Sequence, residues 1–174
     1  DISVNTFIDD AAAALAWLAQ QEGIAPDKLI VAGHSQGATF VPALTHRAKG
    51  LVAGVVIAGN YRPIDALLEQ QLEDSRALLQ QRNMGDAALA PLQEAVSQVK
   101  NVRGGGMPAP TIMGAPSAFW EGWMAQADAM PALAKTSPVP LLIVGGTMDT
   151  NVPPSELPLW RKGLQGTEVP HKVV

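Results

Sequence analysis

The 174 residues fit one domain, and a composition of 47% hydrophobic and 16% charged residues excludes an intrinsically disordered chain. A formal net charge of −4 argues against nonspecific attraction to nucleic acid or to an anionic membrane, and the absence of cysteine excludes disulfides, thiolate metal sites and a cysteine nucleophile. The longest apolar stretch, Ala11 to Ala19, falls far short of the ~20 residues a spanning helix needs. Asp1 stands where a translational start would place Met, so the chain is expected to begin downstream of that start.

Asn5 or Thr6 is expected to cap a first helix, because a short polar side chain accepts the free first-turn N–H groups. Phe7, Ala11, Ala14, Leu15 and Leu18 fall on one face at helical spacing, and Gly23 suits the helix end. After the Pro26-Asp27 turn, the run Leu29 to Ala32 reads as a buried parallel strand. Gly33 to Gly37 leads into a helix from about Ala38 to Ala48, and Leu51 to Ala58 is a second strand-like run. From Pro63 to about Val102 the chain turns polar and helical, with one stripe through Ile64, Leu67, Leu68 and Leu72 and another through Leu92, Val96 and Val99. Gly104-Gly105-Gly106 and Pro108-Ala109-Pro110 read as loop, the glycines as a hinge. Ser117 to about Ala127 is predicted helical, Val139 to Val144 a third strand, Ser155 to Leu164 a helix with Pro158 in its first turn, and Glu168 to Val174 a last strand. Strands alternating with helices predict a mostly parallel sheet flanked by helices. Residues 62–116 are too helical for a linker and read as a lid built on that scaffold.

The chemistry centres on Gly33-His34-Ser35-Gln36-Gly37, a G-x-S-x-G pentapeptide placed directly between a predicted strand and a predicted helix. On such a sharp turn the Ser35 hydroxyl projects above the sheet edge, and side chains at positions 33 and 37 are expected to clash with the neighbouring strand and helix. The Gln36 N–H, at a helix start, can donate to a developing oxyanion. The plainer alternative is a glycine-rich turn bearing a surface serine. A second motif, Gly145-Gly146-Thr147-Met148-Asp149-Thr150-Asn151-Val152-Pro153, puts Asp149 on the loop after a predicted strand. An acid there can orient an imidazole, and alternatively it caps its own turn.

With GHSQG and GGTMDTNVPP in this order, the sequence resembles the α/β-hydrolase superfamily along essentially its whole length. The segment from Tyr61-Arg62-Pro63-Ile64-Asp65 through Gly114-Ala115-Pro116-Ser117-Ala118-Phe119-Trp120 is similar to a bacterial branch of capped serine esterases, termed carboxylesterase-like or dienelactone-hydrolase-like. The resemblance implies an α/β fold, a partial α/β-hydrolase core with a helical cap insertion. Residues 1–61 would form the elbow half of the core, residues 62–116 the cap and residues 117–174 the acid-loop half. It implies Ser35 as nucleophile, Asp149 as triad acid and the Gln36 N–H as oxyanion donor. It also implies a histidine after one more strand and a second oxyanion donor from a loop before the elbow. Both are expected to lie outside these 174 residues.

The chain holds three histidines. His34, beside the serine, is expected to line the pocket. His46, at a helix end, reads as structural. His171 follows Asp149 in order, but it precedes the apolar Val173-Val174 and so is expected to begin the last strand and not to follow it. Phe119, Trp120 and Trp123 read first as packing, with Trp120 the candidate to line an acyl or alcohol pocket. Acidic residues such as Asp9, Asp10, Glu69, Glu73 and Asp74 read as solvated helix faces. No cofactor and no metal site is implied. The expected activity is hydrolysis of small carboxylic esters through an acyl-enzyme. The alternatives are a peptidase or thioesterase of the same fold, or a catalytically silent chain. Uncovered strands near Ala32 and Ile57 lead to an expectation of homo-oligomers or association through sheet edges.

Overall fold

The computed structural model describes residues 3–107 and 109–174; Pro108 of the expected loop lies outside the described residues. Helix α1 (Val4–Leu18) is capped by Ser3, whose Oγ accepts from the Thr6 N–H at 3.1 Å, and not by Asn5 or Thr6. Its buried stripe begins with Val4 and Ile8 and continues through the half-buried Ala11, Leu15 and Leu18. Phe7 and Ala14, expected in that stripe, are exposed. Moving the cap to Ser3 brings Val4 into the first turn, so the inward face starts one position before Asn5.

Strand β1 (Leu29–His34) is followed by a 3-10 turn over Ser35–Phe40 and then helix α2 (Val41–Arg47). Strand β2 (Leu51–Ile57) leads into helices α3 (Ile64–Gln81) and α4 (Ala90–Arg103), and then into a small hairpin of β3 (Thr111–Ile112) and β4 (Ala115–Pro116). The glycine run after α4 forms a helix stop. Gly105 has φ +75°, its N–H bonds the Val102 carbonyl, and the Gly106 N–H bonds the Asn101 carbonyl. That pair of bonds is the Schellman cap. Helix α5 (Ser117–Lys135) runs well past the predicted end at Ala127 and carries Pro131 inside it. Its inward residues Phe119, Trp120, Met124, Ala127, Met130 and Ala134 keep one buried face across the proline, so packing outweighs the one lost backbone bond. Strand β5 (Leu141–Val144), helix α6 (Glu156–Leu164) and strand β6 (His171–Val173) complete the order.

Among the described residues the main sheet has four strands in the order β1-β2-β5-β6, and every neighbouring pair is parallel. The register sets His34 beside Ile57 and Ile57 beside Val144, so β1, β2 and β5 end level with one another. One face, carrying Val31, Gly54, Val56, Leu141 and Ile143, is packed: a Cβ at Gly54 would press on Val41, Thr45 and Leu141. The alternate residues Ile30, Ala32, Ala53, Val55, Ile57, Leu142 and Val144 are half-buried or exposed, with Ile30 59% exposed. Parallel sheets normally bury both faces.

The segment 62–116 shares the main core. Ile64, Leu68, Ala95, Val96, Val99 and Ile112 belong to the same buried cluster as Val41, Met130 and Trp160. Arg103 ties its two long helices to α5. Its Nη1 and Nη2 donate to the two Asp128 carboxylate oxygens at 2.9 and 3.2 Å, while Nε lies 2.8 Å from Asp65 Oδ1. Hydrogen bonding to Asp128, with the charges of Asp128 and Asp65, holds the Arg103 guanidinium above its ordinary pKa against some desolvation.

Candidate active site

Ser35 is the first residue after β1 and has φ +55°, a left-handed conformation that non-glycine residues seldom adopt. His34 before it is fully extended at φ −116° and ψ 138°, and the chain enters the 3-10 turn at Ser35 itself. The strain of such a residue, about 1–3 kcal/mol, persists only where the surroundings enforce it, and it is a recurrent mark of functional sites. Here the turn is enforced by close packing. A Cβ on Gly33 would overlap the Gly37 carbonyl and press on Val41. Gly33 is therefore required as the sequence suggests, whereas a Cβ on Gly37 would meet nothing within 4 Å. The expected clash at position 37 does not arise among the described residues. We expect Gly33→Ala to destabilise the fold by more than about 2 kcal/mol, because backbone and not a flexible side chain stands in the way. Thermal unfolding checks this, and an unchanged midpoint would contradict it.

Ser35 and His34 are exposed. Gln36 lies in the first turn of the 3-10 segment, where N–H groups lack intrahelical acceptors. Its carbonyl accepts from Thr39 Oγ1 at 2.6 Å, and Gln126 Nε2 donates to the Thr39 carbonyl at 3.2 Å, so the turn is braced from its own helix and from α5.

Asp149 sits on the loop after β5. Its Oδ1 accepts from the Asn151 and Val152 N–H groups, both at 2.9 Å. The turn-capping role is thus met by one carboxylate oxygen, and Oδ2 has no hydrogen-bond partner among the described residues. Because β1, β2 and β5 end level, Ser35 and the Asp149 loop emerge on the same edge of the sheet, from strands two spacings or about 10 Å apart.

The other candidates separate clearly. His171 pairs with Leu141 at the start of β5, so it lies at the opposite edge of the sheet, and its Nδ1 is 2.8 Å from the Val169 carbonyl. His46 Nε2 is 3.0 Å from the Leu133 carbonyl, a contact between helix ends. Trp120, expected to line a pocket, is 5% exposed and donates from Nε1 to the Ile112 carbonyl at 2.8 Å. Its indole is a packing element that fastens the β3–β4 hairpin to α5. An aromatic chain runs through Trp120, Trp123, Phe119, Phe7 and Phe40, with centroid separations of 5.2 to 6.4 Å. Among the described residues, no His, Asp and Glu side chains gather into a metal-binding group and no helix is long and apolar enough to cross a membrane.

Sequence reasoning missed Glu156 and Arg62. Glu156 is 1% exposed at the start of α6 and accepts from the Tyr61 N–H, the Arg62 N–H and Arg62 Nε. The only sequence signal was an acid in a first helical turn, which ordinarily reads as a solvated dipole partner.

Esterase EstD of Thermotoga maritima is 27% identical over 163 residues, which cover 92% of this chain and 36% of EstD. A puromycin-hydrolyzing peptidase of Mycobacterium tuberculosis matches with TM-score 0.58 at 17% identity, over 96% of this chain and 20% of that one. The Pyrococcus furiosus esterase Pf2001 matches with TM-score 0.55 at 16% identity, over 100% of this chain and 54% of that one. At such identities the two structures share the fold. The chain thus spans about a third of the length of EstD. The family described as alpha/beta hydrolase fold matches residues 3–107, and with a parallel sheet whose first strand is followed by a strained serine, the chain belongs to the α/β-hydrolase family.

Proposed function

We propose that this chain carries the nucleophile and acid of a serine hydrolase acting on small carboxylic esters. The observation that carries the reading is Ser35 at φ +55° on the turn after β1, at the same sheet edge as Asp149. Ser35 Oγ attacks the ester carbonyl while a histidine takes its proton. The tetrahedral intermediate collapses, the alcohol leaves with that proton, and the acyl group remains on Ser35. Water, deprotonated by the same histidine, then releases the acid. Asp149 Oδ2 orients the imidazole and stabilises its cation. The Gln36 N–H is one oxyanion donor. The histidine and the second donor come from outside these 174 residues, a reading supported by the positions of His46 and His171 far from the Ser35 edge. His34 borders the pocket, and residues 62–116 act as a cap over it.

Esters are favoured over peptides and thioesters by the likeness to an esterase in sequence, whereas the peptidase is alike in fold alone. The test is turnover of short p-nitrophenyl esters and of aminoacyl anilides by the full-length protein and its Ser35→Ala variant. Ester hydrolysis lost in the variant is expected. Unchanged turnover overturns the nucleophile, and a clear anilide preference replaces the esterase reading with a peptidase.

We further propose that the open face through Ile30, Ala32, Val55 and Ile57, beside β1 as the outermost strand among the described residues, drives association of the isolated 174-residue polypeptide. Sedimentation is expected to show dimers or larger species. A monodisperse monomer would contradict this.

A further inference from the structure

Asp149 is held by two backbone N–H groups, those of Asn151 and Val152. Those two residues are in turn held from outside their own loop. Gln71, on α3, donates from Nε2 to the Asn151 carbonyl. The Val152 side chain is buried with Ala58 and Leu67, the second apolar cluster of the molecule. The far end of the loop is gripped as well. Arg62 Nη2 donates to Ser155 Oγ at 2.6 Å, and Arg62 Nε and the Tyr61 and Arg62 N–H groups converge on the buried Glu156 carboxylate. Arg62 Nη1 completes the fork by donating to Gln70 Oε1 at 3.0 Å, and Gln70 Nε2 donates to Asp74 Oδ1 at 2.9 Å. The contacts of Gln71, of Val152 with Ala58 and Leu67, and of Tyr61 and Arg62 run from the segment 58–71 to the loop that carries Asp149 and to the α6 start that follows it.

From this we infer that Arg62, Gln71 and Glu156 are positioning residues for Asp149: the first helix of the insertion, and not β5 alone, sets where the acid stands. The inference rests on the reading of Asp149 as the triad acid. The guanidinium suits the task because its planar fork fixes three partners at once, which an ammonium cannot do. Glu156 supplies the acceptor for both the Arg62 side chain and the backbone that leaves β2, so the α6 start cannot drift from the β2 end without leaving a buried charge unpaired. An acid displaced by a fraction of an ångström holds the imidazole less well, and the loss falls on the chemical step and not on substrate binding.

The experiment measures kcat and KM for an ester in the full-length protein, per active site titrated with a fluorophosphonate, in Gln71→Ala, Gln71→Lys, Glu156→Gln and Asp149→Asn. Glu156→Gln is expected to lower kcat about 10–100-fold with KM little changed, and Gln71→Ala by a smaller factor of about 3–10. Gln71→Lys, which can still donate to the Asn151 carbonyl, retains most of the kcat. Gln71 is only half-buried, so its variants remain readable if Glu156→Gln does not fold. Combined with Asp149→Asn, Gln71→Ala is expected to cost little more, because the acid it positions is already gone. A purely structural role would lower the titrated fraction and leave kcat per site intact. That result, beside a large loss in Asp149→Asn, overturns the positioning role and leaves the triad standing. Full additivity of Gln71→Ala with Asp149→Asn overturns it too. No effect of Asp149→Asn itself removes the triad reading, and this inference with it.

Discussion

Replacing Ser35 by alanine is expected to lower kcat for ester hydrolysis by a factor of about 10⁴ or more while the protein stays folded. The size follows from the chemistry. Alanine leaves no group to form the acyl-enzyme, so the only residual catalysis is water attack assisted by the Gln36 N–H and by substrate binding. The structure argues that the fold survives. Ser35 is exposed, and its side chain makes no hydrogen bond among the described residues, so little packing is lost. Alanine at φ +55° is no better accommodated than serine, and both remain strained. A drop in kcat with an unchanged unfolding midpoint is the expected pair of results. A drop of only a few fold would point to a different nucleophile.

The second large effect is expected at Asp149. Asp149→Asn keeps the shape and can keep Oδ1 as acceptor for the Asn151 and Val152 N–H groups, so the turn persists. What changes is the group offered at the Oδ2 position. An amide NH₂ donates where an imidazole N–H also donates, which turns the base into the wrong tautomer and removes the charge that stabilises its cation. A loss of about 10⁴-fold in kcat is the measure of that change in the serine triad. It is expected here with KM nearly constant and with thermal stability close to that of the parent. If instead stability falls and kcat per folded molecule stays, Asp149 is a turn cap and nothing more.

The elements that proved legible are those where local chemistry decides the outcome. β1, β2 and β5 were read as short apolar runs and lie within two residues of the expected bounds. The elbow was legible because Gly33 has a reason that sequence can express: no Cβ fits beside the Gly37 carbonyl. Errors arose where tertiary contacts decide. The inward face of α1 starts at Val4 because the cap is Ser3, so a stripe drawn from Phe7 shares Ala11, Leu15 and Leu18 with it but includes the exposed Phe7 and Ala14. Helix α5 passes Pro131 because its buried face continues to Ala134. Trp120 reads first as packing and second as pocket lining, and the Ile112 carbonyl in front of its Nε1 accounts for its burial. Glu156 is the clearest case. Its burial depends on Arg62, 94 positions away in the chain, and no local pattern links the two.

The central claim, that Ser35 is the nucleophile of this fold, is tested most directly by treating the full-length protein with a fluorophosphonate and mapping the adduct by peptide mass spectrometry. The expected result is one stoichiometric phosphonyl group on the peptide containing Gly33-His34-Ser35-Gln36-Gly37, lost in Ser35→Ala and slowed in Asp149→Asn. An adduct on another residue, or an enzyme that hydrolyses esters at full rate while Ser35 stays unlabelled, would contradict the account.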